Sequence, residues 1–227
     1  MKGKLVAVCV VIAGMLVPGT FGCGQGAEGE PRGKEIALPA PATRGGMSLT
    51  EAIAKRRSIR SFAPDPLTLE QISQLAWSAQ GITEPGRGLR AAPSAGALYP
   101  LELYLLTEGG VFHYLPQGHK LVQLSDADRR GALSQAALGQ SSVAQAALDI
   151  VIAGVFSRTE AKYRERAPQY MYIEAGHVAQ NIHLQAVALG LASVPVGAFR
   201  DQAVSEVVGL SAEQTPIYII PVGHPSR

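Results

Sequence analysis

The run Lys55-Arg56-Arg57-Ser58-Ile59-Arg60-Ser61-Phe62 concentrates groups able to do chemistry. A guanidinium presents a planar fork of donors matched to phosphate oxygens, and a serine hydroxyl adds another donor. Pro64 and Pro66 follow and hold the residues before them out of helical geometry. In an extended segment Arg56, Ser58 and Arg60 share one side, with Ile59 on the other. Such a strip is either a phosphate site built into a wall or a solvated basic face. Ile59 and Phe62, which favour burial, argue for the wall.

The other polar constellations carry less. Glu174-Ala175-Gly176-His177 has the Glu-x-x-His spacing of a di-metal half-site, but a carboxylate-bridged centre needs two such pairs. A hydrogen-bonded His177 and no metal are the expectation, with Glu174, His177 and Asn181 as a polar stripe at a subunit seam. His177 and His183, six apart, fall on different helix faces. Neither a Gly-x-Ser-x-Gly elbow nor a P-loop occurs, so hydrolysis has little support. The 25 glycines include Gly22-Cys23-Gly24-Gln25-Gly26, which follows an apolar leader and opens no helix, so it is no dinucleotide loop. The net charge of +2 is too weak for nucleic-acid binding.

These groups need elements to hold them. Ser48-Leu49-Thr50-Glu51 is a capping box that opens a helix to about Arg57, and Thr68-Leu69-Glu70-Gln71 opens a second, closed by Gly81. Residues 81–100 read as one long loop, in which Ala92-Pro93-Ser94-Ala95-Gly96 would let a flat ligand approach the backbone. Residues 101–107, 111–115 and 120–124 read as strands. Ser125-Asp126-Ala127-Asp128 caps a helix to about Leu138, and 140–148 is a second helical piece. Residues 150–156 form a buried strand. Residues 168–189 form a long helix, apolar on more than one face and so central or at a subunit interface. Residues 191–196 are strand-like, 201–208 helical and 217–222 a last strand. Mixed elements without βαβ alternation give an α+β class.

With 227 residues, 47% hydrophobic, the chain suits one full-size core. Lys2 and Lys4 precede an apolar run over 5–17, then Pro18 and small residues, the layout of a signal peptide over 1–22. Thr20-Phe21-Gly22-Cys23 is similar to a lipoprotein box, with Thr20 where Leu is usual; lipidation of Cys23 and plain secretion stay open. Residues 23–46, rich in Gly, Pro, Ala and Glu, read as a flexible tether. The folded domain is 47–227.

What remains is a phosphate grip, a small-residue loop and the turn Val194-Pro195-Val196-Gly197-Ala198-Phe199, a pattern that suits a phosphorylated aromatic redox cofactor. Here the chain resembles the nitroreductase family of FMN oxidoreductases, and more closely its SagB-type branch, which includes the thiazole/oxazole-forming dehydrogenases. The resemblance is carried, in order, by Arg56-Arg57-Ser58-Ile59-Arg60, Pro93-Ser94-Ala95-Gly96-Ala97-Leu98-Tyr99-Pro100, Glu174-Ala175-Gly176-His177-Val178-Ala179-Gln180-Asn181, Gly190-Leu191-Ala192-Ser193-Val194-Pro195-Val196-Gly197 and Pro221-Val222-Gly223. It implies a nitroreductase-like fold, with a mixed or antiparallel sheet flanked by helices and the long helix at the interface of a homodimer that holds two FMN.

By resemblance, Arg56 and Ser58, with Arg57 beside them, hold the phosphate and ribityl chain. Arg60 lies beside the pyrimidine edge, where a cation favours the anionic reduced flavin. Gln140 meets the ring carbonyls. Pro93, Ser94 and Ala95 reach the flavin from the partner subunit, and Val196, Gly197 and Ala198 approach the reactive ring nitrogen. Lys162-Tyr163 stands in the region of the branch's Lys-Tyr base, and reads alternatively as a surface lysine beside a packing tyrosine. Many members continue past Pro-Val-Gly with a basic segment on the phosphate. Here that contact is expected to be absent or supplied by Arg227. The function implied is an exported FMN oxidoreductase passing hydride to or from a small organic substrate; the rival is a lipid-tethered binding protein of this fold without turnover.

Overall fold

The computed structural model describes residues 33–226. The expected signal peptide, Cys23 and Arg227 lie outside them.

A seven-stranded sheet runs β1 (Glu35–Ala37), β6 (Lys120–Ser125), β5 (Gly110–Leu115), β4 (Leu101–Thr107), β7 (Leu148–Val155), β9 (Gln214–Gly223) and β8 (Ala192–Ser193) in spatial order. Every neighbouring pair is antiparallel. The two central strands, β4 and β7, are covered on both faces, which is why β7, apolar at every position but Asp149, is buried along its whole length. Side-chain alternation then sorts the core into two layers. Leu101, Leu103, Leu105, Ile150 and Ile152 pack against α2 (Leu69–Gln80) and the long α6 (Ala167–Ala188), through Leu75, Val178 and Ile182. Tyr104, Leu106 and Val151 pack on the other face against α3 (Arg130–Ala136), α4 (Ser141–Gln145) and α7 (Asp201–Val208). Truncating one of these leucines, such as Leu103, costs about 2–5 kcal/mol.

α1 (Leu49–Lys55) is capped as expected, Ser48 Oγ accepting from Glu51 N–H at 3.1 Å. It stops at Lys55, two residues early, because Arg56 turns to ψ 124°. Thr68 and Gln71 form a complete capping box on α2. α6 and α7 fall where apolar periodicity puts them.

Four expectations are corrected. The tether over 23–46 gives way to structure within it: Ile36 of β1 pairs with Leu121 and Leu38 is buried, a short apolar trio closing the sheet edge. α3 begins at Arg130, not after Ser125, because the polar residues make local contacts instead of a cap: Ser125 Oγ takes Ala127 N–H, and Asp128 takes the Arg130 guanidinium at 2.6 Å. The loop over 81–100 contains a small hairpin, β2 (Ile82–Glu84) with β3 (Leu89–Arg90). Helix α5 (Ser157–Tyr163), short and polar, was not expected.

Candidate active site

The sequence-predicted residues gather in two places. The first is the strip at 56–60 with the turn at 194–198. Ser58 bridges Ser193 in parallel, and Ile59 N–H donates to Ser193 O at 3.0 Å. Phe62 anchors the strip from below: its ring lies 3.0 Å from where a Gly223 Cβ would sit, so a side chain at the end of the Pro-Val-Gly motif would press on the ring. Ile59, expected on the buried side, is 37% exposed instead. Ser193 Oγ pairs with His183 Nδ1 at 2.7 Å. His183 is buried, its Nε2 unpartnered, and its pKa falls to about 4 through desolvation and then the nearby Arg56 charge.

Among the described residues, no side-chain hydrogen bond or ion pair engages Arg56, Ser58 or Arg60. Arg57 differs: Nη1 folds back onto the carbonyls of Ala54 and Arg56, at 2.9 and 2.8 Å, and closes the C-terminus of α1. Val196 is buried and exchanges both backbone bonds with Ile219. The next two N–H groups, of Gly197 and Ala198, donate to nothing among the described residues, and a Cβ on Gly197 would touch only Tyr218, at 3.6 Å. Gln140 Nε2 donates to the carbonyls of Ala137 and Ala198, both at 2.9 Å. Its amide therefore ties the end of α3 to the turn.

The second place is the turn at 93–99. Gly96, Ala97 and Tyr99 have φ of 63°, 55° and 49°. Two non-glycine residues in left-handed backbone within one turn are strained, and strain of this kind collects at functional sites. Lys162 Nζ and Tyr163 Oη both converge on Gly96, 2.7 and 2.8 Å from the position of a Cβ there. Tyr163 also meets Tyr170 edge-to-face, centroids 4.7 Å apart. The structure thus brings Lys162 and Tyr163 together with Pro93, Ser94 and Ala95. Arg158, missed in the sequence, fixes α5 on this turn by donating to Tyr99 O and to Glu102. Glu102 also meets His113, at 2.7 Å. Burial would raise its pKa, but His113 and Arg158 together hold the carboxyl below the usual range.

α6 separates the two places. Glu174 serves the second through Gln80 and Arg90, and His183 serves the first. Nine residues of α-helix are two and a half turns, so the two side chains leave opposite faces about 13 Å apart along the axis. A cavity of about 750 Å³ belongs to neither place: residues 42–49, Gln74, Trp77 and Leu184 line it.

The nitroreductase family matches residues 53–224, the span that carries both places. The chain belongs to the nitroreductase family. A Methanocaldococcus jannaschii protein assigned as a nitroreductase is 39% identical over 183 residues, covering 78% of this chain and 91% of that one. The microcin B17-processing protein McbC of Escherichia coli is 28% identical over 155 residues, 63% of this chain and 57% of McbC. A solved Ralstonia eutropha structure assigned as a nitroreductase superposes with a TM-score of 0.78 at 29% identity, covering 85% of this chain and 90% of that one. The nitroreductase-like α+β fold is therefore established, in a family of oxidoreductases.

Proposed function

We propose that this nitroreductase-family protein is an FMN-dependent oxidoreductase that moves hydride between the flavin and a small organic substrate, in a homodimer whose two sites each draw on both chains. The observation that carries this reading is the pair of segments joined at the Ser58–Ser193 bridge: one bears Arg56 and Arg60 with no side-chain partner among the described residues, the other the free N–H groups of Gly197 and Ala198. These are the donors a phosphorylated, carbonyl-bearing ring requires, so the residues present fit FMN. Arg56 and Ser58 would hold its phosphate and ribityl chain, and Arg60 its pyrimidine edge. The Lys162 pair lies at the other place, against Gly96, and among the described residues no contact joins it to the strip within one chain. A second copy supplies it. Leu49 and Ile53 of α1, with Tyr172 and Ile173 of α6, are exposed apolar residues that such a copy would cover.

Bound FMN supplies the hydride acceptor. Lys162 then takes the proton that leaves the substrate as hydride departs, and Tyr163 orients the amine. Similarity to McbC supports a SagB-type substrate, an azoline ring oxidised to the azole. The apolar run over 5–17 and Cys23 support export to the bacterial cell envelope with Cys23 as a lipid anchor. Globomycin-sensitive palmitate labelling of Cys23 tests that part, and an unlabelled chain removes the anchor.

The purified protein is expected to be yellow and dimeric by light scattering, and to bleach under a chemical reductant and recolour in air. A colourless monomer that gains no thermal stability from added FMN contradicts the proposal. Flavin that binds but resists every reductant favours a binding protein without turnover.

A further inference from the structure

The strained turn at 93–99 is held by a closed circuit of polar groups. Arg90 Nη1 donates to Gln80 Oε1 at 3.1 Å, and Gln80 Nε2 donates to Glu174 Oε1 at 3.4 Å. The Ser94 hydroxyl stands close enough to the Glu174 carboxyl to draw its pKa down. Ser94 Oγ accepts Tyr99 N–H at 2.9 Å, and Tyr99 Oη accepts the backbone N–H of Arg90 at 3.1 Å. The Arg90 guanidinium then lies 4.5 Å over the Tyr99 ring, which closes the circuit. Gln80 and Glu174 are 1% and 2% exposed, so water cannot replace a lost partner at their end.

We propose that Glu174 is a positioning residue: through Gln80 and Arg90, with the Ser94 hydroxyl beside it, it keeps the turn in its left-handed backbone and so fixes Gly96 against Lys162 and Tyr163. The functional half of this rests on the reading of Lys162 and Tyr163 as part of the flavin site. Only Glu174 joins α6 to the turn within this circuit. Gln80 is oriented by Arg90, so its amide N–H must face residue 174. Ser94 has one proton and two lone pairs, and already accepts Tyr99 N–H. It can donate to a carboxylate, or turn and accept from a neutral carboxyl or amide. Burial raises the Glu174 pKa against the pull of Ser94, Gln80, Arg90 and His177, and the circuit accommodates either charge state. Glutamine at this position therefore meets the same two partners. Alanine leaves a buried amide donor unpaired and the hydroxyl loose.

The test is hydrogen exchange on the FMN-loaded full chain as wild type, Glu174→Gln and Glu174→Ala, with flavin turnover measured beside it. Glu174→Ala is expected to speed exchange across residues 93–99 about tenfold, with β4 and β7 unchanged and turnover reduced. Glu174→Gln is expected to restore both. Unchanged exchange in the alanine variant overturns the proposal. So does a glutamine variant as loose as alanine. If Glu174→Ala does not fold, Tyr99→Phe opens the circuit at its other end and must loosen the same residues. Should Lys162→Ala leave turnover intact while the exchange pattern holds, the base reading fails and the circuit stands.

Discussion

The strip at 56–60 and the turn at 93–99 serve opposite faces of one helix, and they are held in opposite ways. The strip is backbone-anchored, by the Ser58–Ser193 bridge and the Phe62 ring against Gly223, while its Arg56 and Arg60 side chains have no hydrogen-bond or ion-pair partner among the described residues. The turn has strained backbone, and its polar side chains are paired among themselves through Arg90, Gln80, Glu174 and Ser94. Unpaired cations on a fixed backbone are arranged to receive an anion. A strained turn whose polar side chains are tied to their neighbours is arranged to stay where it is while something else approaches. One region waits for a ligand, and the other presents a surface to it.

The largest expected effect breaks the first half of that contrast. Arg56→Ala should cost FMN about 3 kcal/mol, more than a hundredfold in Kd, read by quenching of flavin fluorescence. Arg57→Ala, one residue along, should change that Kd by less than about threefold, because Arg57 already closes α1. Equal losses at the two positions would put both in the anion site.

A second prediction concerns what holds the strip from behind. His183 titrates at about 4 when folded, below its ordinary value, so stability is full above about pH 6.5 and is lost as pH falls from there to 4. The loss should reach about 2 kcal/mol in urea melts across that window. His183→Gln should flatten it. A wild-type profile that is already flat would remove His183 from this role.

The turn is tested by Gly96→Ala. The new Cβ would meet Lys162 Nζ and Tyr163 Oη, on backbone with φ of 63°. A stability loss of about 1–2 kcal/mol is expected, with a larger proportional fall in turnover than in FMN affinity. A fall in affinity alone would assign the turn to cofactor binding only.

The smallest effect sharpens the comparison with a buried acid that no circuit satisfies. Asp149 on β7 is fully buried with both oxygens unpartnered, and desolvation raises its pKa well above the usual range. Folding then costs nothing extra below the ordinary carboxylate range and progressively more as pH rises. Asp149→Asn should gain about 1 kcal/mol over wild type at pH 8 and nothing at pH 4, by thermal melts. A gain that does not change with pH would mean that Asp149 keeps no proton.

Much of this was legible in the sequence where one local rule decides the outcome. Alternation and apolar runs mark β4 to β7, a capping box marks α2, and residues 201–208 carry their own helical pattern. The strip was legible because chemically matched groups are contiguous there. The circuit was not, since Gln80, Arg90, Ser94 and Glu174 meet only once α2, β3 and α6 have packed. α5 was missed because its seven residues, with only Ala161 and Tyr163 apolar in part, give no apolar stripe to read. α3 was started too early because Ser125 and Asp128 satisfy their neighbours locally, a use of the same side chains that spacing does not distinguish from a cap.

The central claim is that each site joins the strip of one chain to the turn of its partner. Mixing Arg56→Ala with Lys162→Ala protein under exchange of subunits tests it directly. Each variant alone should be nearly inactive. Random re-pairing would make half the dimers mixed, each with one intact site of two, so about a quarter of wild-type turnover should return. A mixture no more active than its two components would place both residues in the same chain's site and contradict the account.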